Sequence, residues 1–244
     1  MPPNISLRES IRWLPDEAYE DTNTVVLTSG EQRFVDVRLR KTDEGTRGQD
    51  PEIDWAFAGT ATSTQASPDT DNTHTTWYHW IDSRHHGKAA EGILDHGDMS
   101  PLPGDRTLEK GRMINPATGK ETDYEEIWKD EEPIAVPSND EPARRCCIVL
   151  TLEDTAAHVQ GSRPRGMLIR VGHIVQGMVK TGETTHIERW QWEKSALQGS
   201  WVRTCKVGIY PLPVLLLTSE SALKGSAQED GMGHPWKVVE SEYF

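Results

Sequence analysis

The sequence predicts an all-β protein, folded as a β-sandwich or barrel twice over. Three observations carry that expectation. Short segments alternate apolar and polar residues with period two, they recur every 10–20 residues or so, and glycine, proline and polar clusters separate them. No segment sustains helical periodicity beyond about three turns. Many short strands at such spacings are the pattern of sandwiches and barrels.

In the first half the strand signals are "NTVVLTS" (23–29), "RFVDVRLR" (33–40), "IDWAFAGTAT" (53–62) and "HTTWYHWID" (74–82). "RTLEKGRMI" (106–114) and "TDYEEIWKD" (122–130) follow. "EEPIAVPSNDEPARR" (131–145) has three prolines and no periodicity, and it reads as a linker. The expected units are therefore residues 1–135 and 146–244. The second half gives "CCIVLTLE" (146–153), "GMLIRVGHIVQGMVK" (166–180), "TTHIERWQWE" (184–193), "SWVRTCKVG" (200–208), "VLLLTSE" (214–220) and "WKVVESE" (236–242). "LPDEAYE" (14–20) and "SESALKG" (219–225) suit single helical turns.

"DWAFAGT" (54–60) has two distinct faces as a strand. Trp55, Phe57 and Gly59 fall on one face, and Asp54, Ala56 and Ala58 on the other. Two rings followed by no side chain make a taper, as a strand needs when it starts under a packed floor and bends near its end. Trp55 is expected in the core rather than on a ligand.

The chain has 244 residues and 35% hydrophobic content, enough to bury a substantial core. Three cysteines, two of them adjacent at 146 and 147, form no disulfide framework and suit a reducing compartment. No secretory leader is visible and no apolar run reaches membrane-spanning length, so a cytoplasmic or nucleocytoplasmic protein without membrane contact is expected. Residues 1–140 carry 28 acidic and 14 basic side chains, whereas residues 141–244 carry 11 and 12. The acidic first half would repel nucleic acid and anionic membrane. A basic protein partner for that half stays open.

"DWAFAGT" (54–60), "CIVLTLED" (147–154), "IRVGHIVQG" (169–177) and the closing "HPWKVVESEY" (234–243) resemble the fungal Hri family. "YEEIWKDEEP" (124–133) is similar as well. The likeness runs in order from about residue 23 to the C-terminus. His173 stands where an aromatic residue is expected, and the first 20 residues and the 61–73 loop diverge. The resemblance implies two consecutive calycin-like antiparallel β-barrels of lipocalin topology. It also implies an association with a casein-kinase-type partner, as the family name suggests, but no settled activity.

Motifs narrow the chemistry. No phosphate-cradling glycine loop, Cys-x-x-Cys pair, His-Glu-x-x-His run or Gly-x-Ser-x-Gly elbow is present. No cofactor or metal is therefore expected, although His74, His79, His85, His86 and His96 cluster within 23 residues. His85–His86 reads as a solvated hairpin tip. The aromatic residues form a stronger pattern. In "WYHW" (77–80), Trp77 and His79 share one face and Tyr78 and Trp80 the other; His186, Glu188, Trp190 and Trp192 share a face in "HIERWQW"; and Trp201, Arg203 and Cys205 align in "WVRTC". Such rings either fill small barrels or line a pocket for an apolar, oxygenated ligand.

On the pocket reading the walls are Trp77, Trp80, Trp190, Trp192 and Trp201, and the catalytic hydrogen-bonding groups are Tyr78, His79, His186, Glu188 and Arg203. The function expected first is a cofactor-free cyclase of the hetero-Diels–Alder type, by analogy with fungal calycin-like cyclases of secondary metabolism. Orientation of two apolar partners and donors at a developing oxyanion would supply the rate. The alternatives are a docking protein using its acidic first barrel, and a carrier of an apolar metabolite.

Overall fold

The computed structural model describes residues 2–41, 51–85, 88–137, 143–153, 164–194, 199–219 and 225–244. His86 and most of 219–225 lie outside them. The all-β class expected from the sequence is what the chain adopts. Strands β1 (Asn4–Trp13), β2 (Thr22–Thr28), β3 (Arg33–Arg40), β4 (Ile53–Gln65) and β5 (Thr73–Asp82) lead through a short helix, α1 (Lys88–Glu91), to β6 (Leu94–Leu102), β7 (Arg106–Asn115) and β8 (Lys120–Glu131). These eight strands close into an antiparallel barrel, with β8 returning to pair with β1.

The second half contributes β9 (Cys146–Glu153), β10 (Arg165–Val171), β11 (Ile174–Thr181), β12 (Thr184–Lys194), β13 (Gly199–Val207), helix α2 (Val214–Thr218), β14 (Ala227–Glu229) and β15 (Pro235–Tyr243). Its strands form a seven-stranded antiparallel sheet in the order β13-β12-β11-β10-β9-β15-β14.

Barrel and sheet share one core. On β3, Val35, Val37 and Leu39 point out of the barrel and pack with Val149, Ile169 and Met178 of the sheet. Phe34, Asp36 and Arg38 alternate with them and point into the barrel. The strand is thus buried on both faces, which explains why six of its eight residues in succession are buried. Gln176 fixes the interface: its Nε2 donates to the carbonyls of Val25 (2.8 Å) and Val35 (3.0 Å), and its Oε1 accepts from Arg189 Nε at 2.6 Å. The other face of the sheet buries Leu150, Leu168 and Trp236 beneath Tyr210, Leu212 and Leu217.

Three strands, β1, β6 and the three-residue β14, escaped the sequence pattern. In β1 the register shifts between Arg8 and Ser10, so buried residues fall at Ile5, Arg8, Ile11 and Trp13 and the period of two is lost. β6 has few apolar residues and contains Pro101 and Gly97, the glycine standing where Glu109 packs directly over the strand. "VLLLT" is helical instead of extended, with Val214 and Leu217 buried one turn apart while Leu215 stays exposed. Periodicity cannot phase so short an apolar run. The run at 166–180 splits into β10 and β11 at Gly172, which takes a positive φ of 54°. His173 beside it ties the connection after β8 to this hairpin: its Nδ1 accepts from Ile134 N–H at 3.1 Å and its Nε2 lies 2.9 Å from Glu131.

Candidate functional site

The barrel interior holds a cavity of about 360 Å³. It opens between the ends of β1 and β8 and those of β4, β5, β6 and β7, where Asn4, Asp130, Ser63, Thr73 and Pro101 form its lining. Its walls are mostly rings and apolar groups: Phe34, Phe57, Ala61, Trp77, Met99 and Trp128. Asp36, Arg38, Asp95 and Glu109 supply the polar lining deeper down.

Strand phase brings these residues together. Asp36 pairs with Phe57 across β3 and β4, Trp77 with Asp95 across β5 and β6, and Glu109 with Glu126 across β7 and β8. The tapering strand of the sequence behaves as expected at its end. The β4–β5 register shifts between Ala58 and Gly59, and a Cβ on Gly59 would collide with the Tyr78 carbonyl oxygen.

Beneath the cavity the charges form a hydrogen-bonded network. Arg38 donates from Nε (3.0 Å) and Nη2 (2.9 Å) to Asp36 Oδ2 and from Nη1 (3.3 Å) to Glu126. Arg8 donates to the same Glu126 oxygen at 2.5 Å and to Glu20 at 2.7 Å. The Arg38 guanidinium carbon lies 5.2, 5.4 and 5.9 Å from the ring centres of Trp55, Phe57 and Trp128, a cation enclosed by aromatic faces. Burial disfavours its charge, but Asp36 and Glu126 outweigh that and hold its pKa well above the ordinary value.

Glu109 has the reverse environment. It accepts from Tyr124 Oη at 2.7 Å and Trp128 Nε1 at 2.9 Å, and it faces Glu126 and Asp95. Burial first, then those two carboxylates, push its pKa up to about 8, so it keeps its proton at neutral pH.

His79 lies flat on Phe57, with ring centres 4.2 Å apart and planes at 12°. Its Nδ1 is 2.9 Å from Asp82 Oδ2, which also accepts from Trp55 Nε1 at 3.0 Å. Burial opposes its charging, but Asp82 and Asp95 raise its pKa. Conversely, burial would raise Asp82, but hydrogen bonds from His79, the Arg84 N–H and Trp55 lower it. With Asp82 ionised, the His79 proton sits on Nδ1. Two buried polar atoms in this region have no hydrogen-bond partner among the described residues: Asp36 Oδ1 and His79 Nε2.

Of the residues expected from the sequence, Trp77 is in the cavity wall and His79 is beneath it. Tyr78 and Trp80 point outward: Tyr78 is about half exposed, and Trp80 packs against the barrel–sheet core with the Arg165 guanidinium 5.8 Å from its ring. His186, Glu188, Trp190, Trp192, Trp201 and Arg203 all belong to the second sheet, and none lines the barrel cavity. His186 contacts Thr181 at 2.9 Å, and burial lowers its pKa. Glu188 accepts from Trp190 Nε1 at 2.8 Å, Arg203 stacks on Trp190 at 5.5 Å, and Trp192 meets Trp201 edge-on at 5.8 Å.

His74 pairs with Asp98 at 2.7 Å on the outer surface, and His85 with Asp82 at 3.2 Å. Among the described residues no group of three or more histidine, cysteine or acidic side chains is arranged to hold a metal ion. Among the described residues no helix is long and apolar enough to cross a membrane.

The floor residues Asp36, Arg38, Asp95 and Glu109 and the wall residue Trp128 were missed from the sequence. For Asp36 and Arg38 a signal was present in "RFVDVRLR", where they share a face with Phe34.

Comparison with known proteins agrees with this architecture. The family model described as "Protein HRI1" matches residues 4–240. The crystal structure of uncharacterized protein YLR301w from Saccharomyces cerevisiae superposes with a TM-score of 0.74 at 19% identity, covering 99% of this chain and 100% of that one. No curated protein sequence matches.

Proposed function

Because the chain belongs to the HRI1 protein family, whose barrel fold fits a ligand-binding or interaction protein, we propose that it binds a small molecule inside its first barrel. The observation that carries this reading is the cavity of about 360 Å³ with aromatic walls above a fixed charged floor. Pockets that hold small ligands combine such walls with a few placed polar groups, at volumes of about 300–1,000 Å³. Small barrels that only need a core fill this space with side chains.

Nile red, a neutral dye that brightens in apolar surroundings, tests the reading on the full chain. It should bind the native protein and fail to bind Ala61→Trp, whose new ring would occupy the cavity. Equal binding to both proteins at equal melting temperature would place the dye elsewhere and defeat the reading.

A cofactor-free cyclase of the hetero-Diels–Alder type is the finer form of the same proposal. Rings such as Phe57 and Trp77 would hold two apolar partners face to face, which supplies much of a cycloaddition's rate. Glu109, protonated at neutral pH, and Arg38 are the groups placed to withdraw electron density from a carbonyl oxygen. This moves the chemical roles from Tyr78 and the second-sheet residues to the barrel floor. Product formation from a synthetic quinone methide and an alkene, reduced in Glu109→Gln and Trp77→Ala, is the expected result. A rate unchanged by added protein would rule out that substrate pair and this form of the proposal. Docking of a basic protein by the acidic first half is the alternative if no ligand binds.

A further inference from the structure

We propose that the ligand of this cavity is an amine, an apolar ring body carrying a protonated ammonium group that donates to Asp36 Oδ1. The inference rests on the barrel-cavity reading and adds the class of ligand.

Asp36 is 3% exposed and lines the cavity, yet Oδ1 has no hydrogen-bond partner among the described residues. Both Arg38 hydrogen bonds to this carboxylate go to the other oxygen, Oδ2. Natural structures seldom leave a buried carboxylate oxygen bare, because the lost hydration has no compensation. A donor entering through the cavity provides it.

The charge balance selects the kind of donor. Among the described residues, the acidic side chains lining the cavity are Asp36, Asp71, Asp95 and Asp130, with Glu109 kept protonated at neutral pH, against the single cation Arg38. Three of Arg38's five N–H groups are spent on carboxylates, two on Asp36 and one on Glu126. An anionic ligand would therefore meet acidic walls and one cation whose charge is already paired with Asp36 and Glu126. In the network below, Arg8 and Arg38 face three carboxylates, Glu20, Asp36 and Glu126, an excess of negative charge even before Asp95 is counted. Burial draws the Asp36 carboxyl pKa upward, the strain that a bound cation relieves. Phe57, Trp77 and Trp128 in the lining supply apolar contact for the ring body of such a ligand.

Three compounds sharing one ring body test the charge requirement: tryptamine, its alcohol analogue tryptophol, and indolepropionate. Isothermal titration of the full-length protein should show tryptamine binding about tenfold or more tighter than tryptophol, and indolepropionate weakest. Ala61→Trp should abolish tryptamine binding. Asp36→Asn should bring tryptamine down to the affinity of tryptophol while leaving tryptophol unchanged. Should Asp36→Asn fail to fold for want of an Arg38 partner, the native three-compound series and Asp95→Asn still decide. Asp95→Asn should weaken tryptamine alone. Tryptophol or indolepropionate binding as tightly as tryptamine would overturn the amine assignment and leave the cavity reading intact. If neither these compounds nor Nile red bind, both fall.

Discussion

Trp55 Nε1 donates a hydrogen bond to Asp82 Oδ2 at 3.0 Å, tying β4 to the end of β5 under the barrel cavity. The same oxygen lies 2.9 Å from His79 Nδ1, so one carboxylate orients an indole and an imidazole at once. Trp55 is 7% exposed. Replacing it with alanine should destabilise the protein by roughly 3–5 kcal/mol, the range for large buried aromatics. Trp55→Phe keeps most of the volume and loses the donor, so it should cost about 1–3 kcal/mol. Urea denaturation measures both, and a midpoint unmoved by Trp55→Ala would contradict the packing described.

Glu109 gives a pH signature. Its folded pKa is raised from the ordinary 4.5 to about 8. The stability it contributes is therefore complete below 4.5 and is lost as pH rises through about 8. Glu109→Gln imitates the protonated carboxyl, so it should flatten the fall in stability between about pH 5 and pH 9. His79, also raised, gives a slope of the same sign in both proteins and cancels in the comparison. Parallel curves for native protein and variant would mean that Glu109 is not held protonated by its surroundings.

Trp77 and Tyr78 are sequence neighbours with opposite expected outcomes. Trp77→Ala opens a cavity wall and should weaken Nile red or tryptamine binding about tenfold or more, because the ring surface is lost. Tyr78→Ala alters an exposed outer surface and should leave binding within about twofold. Comparable losses from both substitutions would remove the cavity as the binding site.

Gln176 predicts how the two halves unfold. Its amide is the partner of the Val25 and Val35 carbonyls and of Arg189. Gln176→Leu leaves buried acceptors and a buried guanidinium underpaired, at a cost of about 2–5 kcal/mol. The shared core implies one cooperative transition, with fluorescence and far-ultraviolet circular dichroism coinciding in the native protein. Two separated transitions would show that barrel and sheet fold independently.

The strands of the fold were legible where both sides of the alternation could be seen. β3 and β9 begin and end where the sequence pattern does. What the pattern could not reveal was which face looked inward. Asp36 and Arg38 resemble a solvated face in the sequence, while Val35 and Val37 resemble the barrel core; the fold exchanges these roles, because the second sheet covers the outside of β3. The site was legible only in part for the same reason. Trp77 in the cavity wall and His79 beneath it stand out in the sequence by their rings, but the carboxylates of the floor look like surface charge until closure of the barrel brings β3, β6, β7 and β8 together. Rings alone could not separate Trp77 from Trp190, Trp192 and Trp201, which belong to a different sheet.

The central claim, a ligand site inside the first barrel, is tested most directly by nitrogen–proton correlation spectra of the nine tryptophan indoles during titration with tryptamine. Tryptophan-to-phenylalanine variants assign each indole signal, and the unlabelled ligand is silent. The account predicts saturable shifts at Trp77 and Trp128, whose rings line the cavity, with Trp190, Trp192 and Trp201 unmoved. Shifts confined to the second-sheet tryptophans would contradict it, and so would no saturable shift at any indole with either tryptamine or Nile red.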